Sequence, residues 1–314
     1  MARPFVPRSV APVLPIRMIA LDIDGTLVDD DLALGERTRG VIARAVHRGI
    51  HVSLITGRMT ASALRFAASL GLRDPIVGYQ GALVREMPIS GDRVGRLLRH
   101  TPLSAAVARD AVAWSRSVGL DPHANHLEEL IIPADDPQVD DYSNFLGTRA
   151  IRVRDLGDWI QHPITKIVAV GAPGRPSALL PAARERFRGR ADVTVAHPRF
   201  LEFVAPGVSK GQAIRWLARR QRVPLEQVLA IGDQVNDLEM IAAVGHGTAM
   251  PQAPAEVIAA ARYIAPPITE EGAGEMIARL ALSTASGARA AALELEAVAT
   301  AVRERASASR PATA

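Results

Sequence analysis

Short uninterrupted apolar runs occur toward both ends of this chain, and they alternate with segments of helical spacing. Residues 16–23 form the first run and carry no helical charge pattern, which predicts a buried strand ending in the acidic turn Asp22-Ile23-Asp24-Gly25-Thr26. Residues 35–48 place Val41, Ile42, Ala45 and Val46 on one face, which predicts a helix stopped by Gly49. A second buried strand is expected over 51–55, closed by Thr56-Gly57-Arg58. A helix over 59–70 with Gly71 at its C-terminus and a short strand over 76–79 follow. Strand–helix–strand alternation of this length argues for a parallel sheet with helices on both faces.

The pattern loosens after about Arg85. A helix is expected over 101–118, then short strands over 130–132 and 164–170, and two strands over 193–195 and 200–204 flanking a turn at His197-Pro198. Clusters of Pro and Asp at 133–141 interrupt this α+β texture, which predicts a second domain inserted into the first. Parallel-sheet texture then returns. Ser209 can N-cap a helix over 210–220, residues 228–231 read as a buried strand ending in Gly232-Asp233, 236–244 as a helix and 247–250 as a short strand. The expected division is an N-terminal extension over 1–14, a core from 15–85 and 205–283, an insert over 86–204, and a short Ala-rich helix with a frayed tail over 284–314. The expected class is α/β: a Rossmann-like parallel-sheet core with an inserted α+β domain.

Composition narrows the chemistry. With 314 residues, 48% of them apolar, the chain can bury a sizeable core, which excludes wholesale disorder. Cysteine is absent, so disulfides, thiolate catalysis and thiolate metal sites are excluded and any metal must be held by oxygen or histidine. The formal charge of +4 comes without a dense basic run or an aromatic–basic ladder, so no nucleic-acid partner is expected. No apolar run of membrane-spanning length and no signal-peptide core occur, and a cytoplasmic location is expected. Only Lys166 and Lys210 are lysines, in a chain that otherwise uses arginine for its base. A compact, flexible point charge at those two places is one reason for such retention, and chance is another.

In an open α/β sheet, ligands sit beyond the carboxyl ends of the strands. The loops expected there carry Asp22 and Asp24; Thr56 and Gly57; Ser209 and Lys210; and Asp233, Asn236 and Asp237. Carboxylates, a hydroxyl and one ammonium make a site for phosphate and a hard cation, and oxygen ligands without His or Cys select Mg²⁺. Asp22 and Asp24, two apart on an extended segment, can point the same way. One can then attack phosphorus while the other protonates the leaving oxygen and later deprotonates water. Each piece alone has a plainer explanation. Asp22 to Thr26 is also an ordinary acidic turn, Thr56-Gly57-Arg58 a strand-to-helix turn, Lys210 a surface lysine, and Asp233 with Asp237 helix-capping acids.

Taken together and in order, these motifs resemble the haloacid dehalogenase-like (HAD) superfamily, specifically its Cof-type phosphatases. The residues that carry the resemblance are Asp22-Ile-Asp24-Gly25-Thr26-Leu27, Thr56-Gly57-Arg58, Lys210 within Pro-Gly-Val-Ser-Lys-Gly, and Gly232-Asp233-Gln-Val-Asn236-Asp237. Gln80-Gly81-Ala82 and Thr165-Lys166-Ile167 add to it, and it covers roughly residues 15–283. The resemblance implies Asp22 as nucleophile and Mg²⁺ ligand, and Asp24 as acid/base offering its backbone carbonyl to the metal. It implies Asp233 as a ligand, with Asn236 and Asp237 completing or supporting the metal shell. Thr56, with the Gly57 amide, and Lys210 would bind the phosphoryl group, with Asn236 beside them. The insert corresponds to a cap that closes over the site and selects a small phosphorylated metabolite such as a sugar phosphate. One departure stands beside the site: Ala249-Met250-Pro251-Gln252-Ala253 replaces the family's Ala-Met-Gly-Asn-Ala. Proline removes a backbone donor there, so an altered loop is expected. The alternatives to hydrolysis are a phosphotransferase or phosphohexomutase with the same nucleophile, and a non-catalytic sensor of phosphorylated metabolites. Whether His123 or His126 of the insert touches substrate is left open.

Overall fold

The computed structural model describes residues 15–29, 31, 33–89, 93–135 and 150–308. Its first half-core is built from β1 (Met18–Leu21), α1 (Glu36–His47), β2 (His51–Leu54), α2 (Thr60–Ser69) and β3 (Ile76–Gly78). Both helices stop at glycines in the left-handed region, Gly49 at φ +75° and Gly71 at φ +65°, a conformation that costs glycine nothing. Next come β4 (Leu83–Arg85), β5 (Leu97–His100), α3 (Ala105–Ser117), β6 (Asp121–His126), β7 (Glu129–Pro133) and β8 (Ala150–Val153). The short α4 (Leu156–Trp159), then β9 (Lys166–Val170), α5 (Arg175–Arg186), β10 (Asp192–His197) and β11 (Phe200–Val204) complete the middle of the chain. The chain then returns through α6 (Lys210–Gln221), β12 (Val228–Gly232), α7 (Leu238–Ala243) and β13 (His246–Ala249). It closes with α8 (Ala255–Ala260), β14 (Tyr263–Ile264), α9 (Gly272–Ala281) and α10 (Ala285–Ala308).

Five parallel strands form the core sheet in the order β14-β13-β12-β1-β2. Strand β1 is buried throughout, and its residues are apolar on both faces because helices cover both sides of the sheet. Beyond β2, a parallel bridge from Ile55 to Val77 carries the sheet toward β3, which pairs antiparallel with β4, and β4 with β5. A separate six-stranded sheet, β10-β11-β9-β6-β7-β8, is formed by the middle of the chain. It has its own core, where Trp114, Phe187 and Phe203 meet edge to face at 5.0–6.0 Å between ring centres. The α/β class with a parallel-sheet core is borne out.

Several local expectations need correction. The helix expected over 101–118 begins at Ala105, because Ser104 accepts the N–H of Val107 and so caps it there. The short C-terminal helix is instead a 24-residue helix, Ala285–Ala308, and residues 309–314 lie outside the described residues, as do 1–14. Its length follows from packing: Ala292, Leu295 and Ala299 are buried, and Glu296 pairs with Arg262 beside β14. Strand β6 was not foreseen, since Asp121-Pro-His-Ala-Asn-His126 reads as polar, nor were β4, β5, β8 and helix α5. Most of the Pro/Asp-rich stretch at 133–141 falls outside the described residues.

Candidate active site

Asp22 sits at the point where three parallel strands end together. Its N–H donates to the carbonyl of Ile231 at the end of β12, and the N–H of Ile55 just after β2 donates to Leu21. The carboxylate is thus delivered to the C-terminal edge of the sheet, beside the loops that follow β2 and β12. Ser209 caps α6 through the N–H of Gln212, which fixes the first turn of that helix and aims Lys210 inward. Lys210, 1% exposed, places its Nζ 2.7 Å from Asp22 Oδ1 and 2.7 Å from Asp237 Oδ1. Asp237 accepts the N–H groups of Asp233 and Gln234 at its other oxygen, so both of its oxygens are committed. Asp233 differs. Gln234 donates to its Oδ2, whereas Oδ1 is buried and has no hydrogen-bond partner.

Asp22, Asp233 and Asp237 each offer an oxygen within 4.8 Å of the others, and all three are buried. Three carboxylates against one ammonium leave excess negative charge in a dry place, and the protonation equilibria respond. Burial pushes the Asp22 carboxyl well up; Lys210 opposes this, while Asp237, Asp233 and Asp24 add to it. Burial, followed by Asp237, raises Asp233 to about 6. At Lys210 burial works against the ammonium, but the charges of Asp22 and Asp237 outweigh it and hold the proton more tightly than usual. The orphaned oxygen of Asp233 and an all-oxygen donor set fit a small hard cation such as Mg²⁺.

Gly25 is required twice over. Its φ is +73°, and a Cβ there would lie 2.3 Å from Asp233 Oδ2, so any side chain would collide with the carboxylate cluster. Asp24 points elsewhere: both of its oxygens are held by the guanidinium of Arg58, and it stands outside the three-carboxylate group. Thr56 is fully buried and its hydroxyl accepts the N–H of Arg58. Gly57 approaches Gln80 so closely that a Cβ would meet Gln80 Nε2 at 2.5 Å. Asn236 donates from Nδ2 to Gln80 at 2.9 Å, and its Oδ1 is buried without a partner.

Three participants escaped the sequence reading. Arg58, the last residue of the Thr56-Gly57-Arg58 motif, holds Asp24, a role that the motif itself does not announce. Gln80, held at φ +59°, links Asn236 to Glu202 of the six-stranded sheet. Gln252, in the departing segment, donates to the carbonyl of Gly25 at 2.7 Å and also reaches Asp233. Proline at 251 thus does not detach the loop, because the next side chain holds it against the turn that follows Asp22. The departure from the family pattern was the one available signal for Gln252. Lys166 lies apart from the carboxylates, paired with Glu202 at 2.7 Å, with its Nζ 3.4 Å from the carbonyl of Gly57. His126 packs edge to face on His162, 4.6 Å between ring centres, and His100 meets it edge to face at 6.2 Å.

A family model for haloacid dehalogenase-like hydrolases matches residues 19–277. The chain belongs to that family. The resemblance carried by the motifs is therefore borne out, and this HAD-like hydrolase is an enzyme of the phosphatase kind. It is 29% identical over 240 residues to the 5-amino-6-(5-phospho-D-ribitylamino)uracil phosphatase YitU of Bacillus subtilis, covering 74% of this chain and 86% of that one. It is 28% identical to the HMP-PP phosphatase of Serratia proteamaculans, with 74% and 83% covered. Among solved structures, a haloacid dehalogenase-like hydrolase from Bacteroides thetaiotaomicron superposes with a TM-score of 0.74 at 27% identity, over 84% of this chain and 99% of that one. No helix among the described residues is long and apolar enough to cross a membrane.

Proposed function

We propose that this HAD-like hydrolase is a Mg²⁺-dependent phosphatase of small phosphomonoesters that works through a phospho-aspartate at Asp22. The observation that carries the reading is the arrangement of Asp22 against Lys210 at 2.7 Å, with the buried, unpartnered oxygen of Asp233 beside them. A Mg²⁺ held by Asp22, Asp233 and the backbone carbonyl of Asp24 would neutralise the crowded carboxylates and polarise the phosphoryl group. Asp237 supports that centre rather than completing it, because Lys210 and two backbone N–H groups occupy its oxygens.

In the first step an Asp22 oxygen attacks phosphorus and the bond from phosphorus to the leaving oxygen breaks. Asp24 gives that oxygen its proton, so the product leaves as an alcohol. In the second step water attacks phosphorus, Asp24 takes a proton from it, and the Asp22–phosphorus bond breaks to release phosphate. Lys210, the Thr56 hydroxyl and the Gly57 amide hold the phosphoryl oxygens as charge develops on them. For its part Asp24 must exchange its pairing with Arg58 for the leaving oxygen, so Arg58 stores the acid/base group in a fixed place between turnovers. Residues 86–204 act as the cap that selects the leaving group.

Phosphate release from a panel of phosphorylated sugars and cofactor precursors, with Mg²⁺ and with EDTA, tests the reading in wild type and D22N. Mg²⁺-dependent release that disappears in D22N is the expected result. Turnover in D22N near the wild-type rate would remove Asp22 as nucleophile.

A further inference from the structure

Beside Lys210 and Asn236 a cleft of about 770 Å³ opens toward the six-stranded sheet, with Arg184 of α5 on its far wall. That volume lies in the range of small-molecule sites and far exceeds what a phosphoryl group needs. The charged groups lining it are not equally free. Glu185 is paired with Arg188, Asp192 accepts the N–H of Gly207, and Glu239 accepts the Ser209 hydroxyl. Arg184 has no carboxylate partner among the described residues. Its Nε donates to the carbonyl of Val193 at 3.0 Å, which anchors the guanidinium by one edge. The two terminal nitrogens are left side by side, the arrangement that takes an oxyanion by two parallel hydrogen bonds. A cation in the last turn of α5 also suits the helix dipole. The dipole does not account for an edge anchored to the neighbouring strand. At the near end, the buried Asn236 Oδ1 lacks a donor.

We propose that this cleft is a subsite for a second anionic group on the substrate, bound by Arg184, with a substrate hydroxyl donating to Asn236 Oδ1. The preferred leaving groups are then hydroxylated skeletons bearing a carboxylate or a further phosphate. This rests on the phosphatase reading of the Asp22 centre and adds a substrate class to it.

The test compares matched substrates, glucose 6-phosphate with 6-phosphogluconate and fructose 6-phosphate with fructose 1,6-bisphosphate, in wild type, R184A and R184E. The expected wild-type preference is for the member of each pair with a second anionic group, by about tenfold in kcat/KM. R184A removes that preference through KM, R184E inverts it, and both leave the substrates without a second anionic group unchanged, which also shows that the variants are folded. Equal use of both members by wild type, or an equal loss on both in the variants, overturns the subsite and leaves the phosphatase reading standing. If wild type turns over none of the four, the Asp22 mechanism is judged by the wider panel and D22N, and calorimetric binding of 6-phosphogluconate decides the subsite separately. Binding weakened in R184E supports it, and absent or unchanged binding overturns it.

Discussion

The two lysines of this chain are both buried, and their surroundings differ in one respect that separates chemistry from architecture. Lys166, in the six-stranded sheet, meets one carboxylate, Glu202, and the pair is electrically complete. Gln80 also donates to Glu202, so little in that pair calls for a ligand. Lys210, in the core, meets Asp22 and Asp237 with Asp233 close by, and one ammonium cannot balance three acids. The remainder appears as raised carboxyl groups and a carboxylate oxygen with no partner. A balanced buried pair is a structural joint, whereas an unbalanced one is where the proposed cation and phosphoryl group would bind.

The sharpest way to break this comparison is at its core member. D22N is expected to lower phosphate release by roughly 10⁴-fold or more, and K210M by roughly 10²–10³-fold, since one removes the proposed nucleophile and the other the ammonium proposed to hold the phosphoryl group. Steady-state phosphate release measures both, and a K210M variant within threefold of wild type would contradict the role given to that ammonium. At the insert the expected loss is in stability. K166M alone should cost about 3–5 kcal/mol by leaving Glu202 charged and unpaired, whereas K166M/E202L should return to within about 1–2 kcal/mol of wild type. Urea unfolding of the three proteins reads this directly, and a double variant as unstable as the single one would mean that the pair is not self-contained.

A smaller effect distinguishes the core cluster by pH. Asp233 has its carboxyl raised to about 6 in the folded chain, against about 3.9 unfolded. The folded state therefore binds more protons in that window, and the contribution to stability present at low pH is lost as pH rises from about 4 to about 6. Metal-free wild type should lose on the order of 2 kcal/mol relative to D233N across that interval. Thermal unfolding in EDTA at a series of pH values checks the difference, and parallel curves would refute it. Last, Mg²⁺ at one hundred times its Kd should stabilise wild type by about 2.7 kcal/mol, with no such gain in D233N. A calorimetric scan with and without the ion supplies the comparison.

What the sequence made legible follows the same division. The loops carrying Asp22, Thr56 and Asp233 were readable because buried parallel strands are continuous apolar runs, and such runs point to their own C-terminal ends; Lys210 was readable because Ser209 before it announces a helix start. Strand β6 was not readable. Its polar residues are buried because β9 and β7 flank it on either side, a fact of neighbours rather than of local pattern. Helix α5 carries Pro181 inside it and buries little more than Pro176 and Ala183, so no stripe announces it. In the site, the pairing of Asp24 with Arg58 and the reach of Gln252 to Gly25 depend on side-chain direction, which spacing along the chain does not encode.

The position of β1 has a consequence for synthesis. It delivers Asp22, the proposed nucleophile, from ahead of the insert, yet in the sheet it lies between β2 and β12, and β12 is separated from it by the whole insert. Until residue 232 has been made, β1 has an open edge and Asp22 has neither Lys210 nor Asp233 positioned beside it. The long loop that must close before that pairing forms makes it a late event in folding. A nascent chain therefore carries the proposed nucleophile without its partners, and the appearance of phosphatase activity during translation would mark the moment at which the central sheet closes.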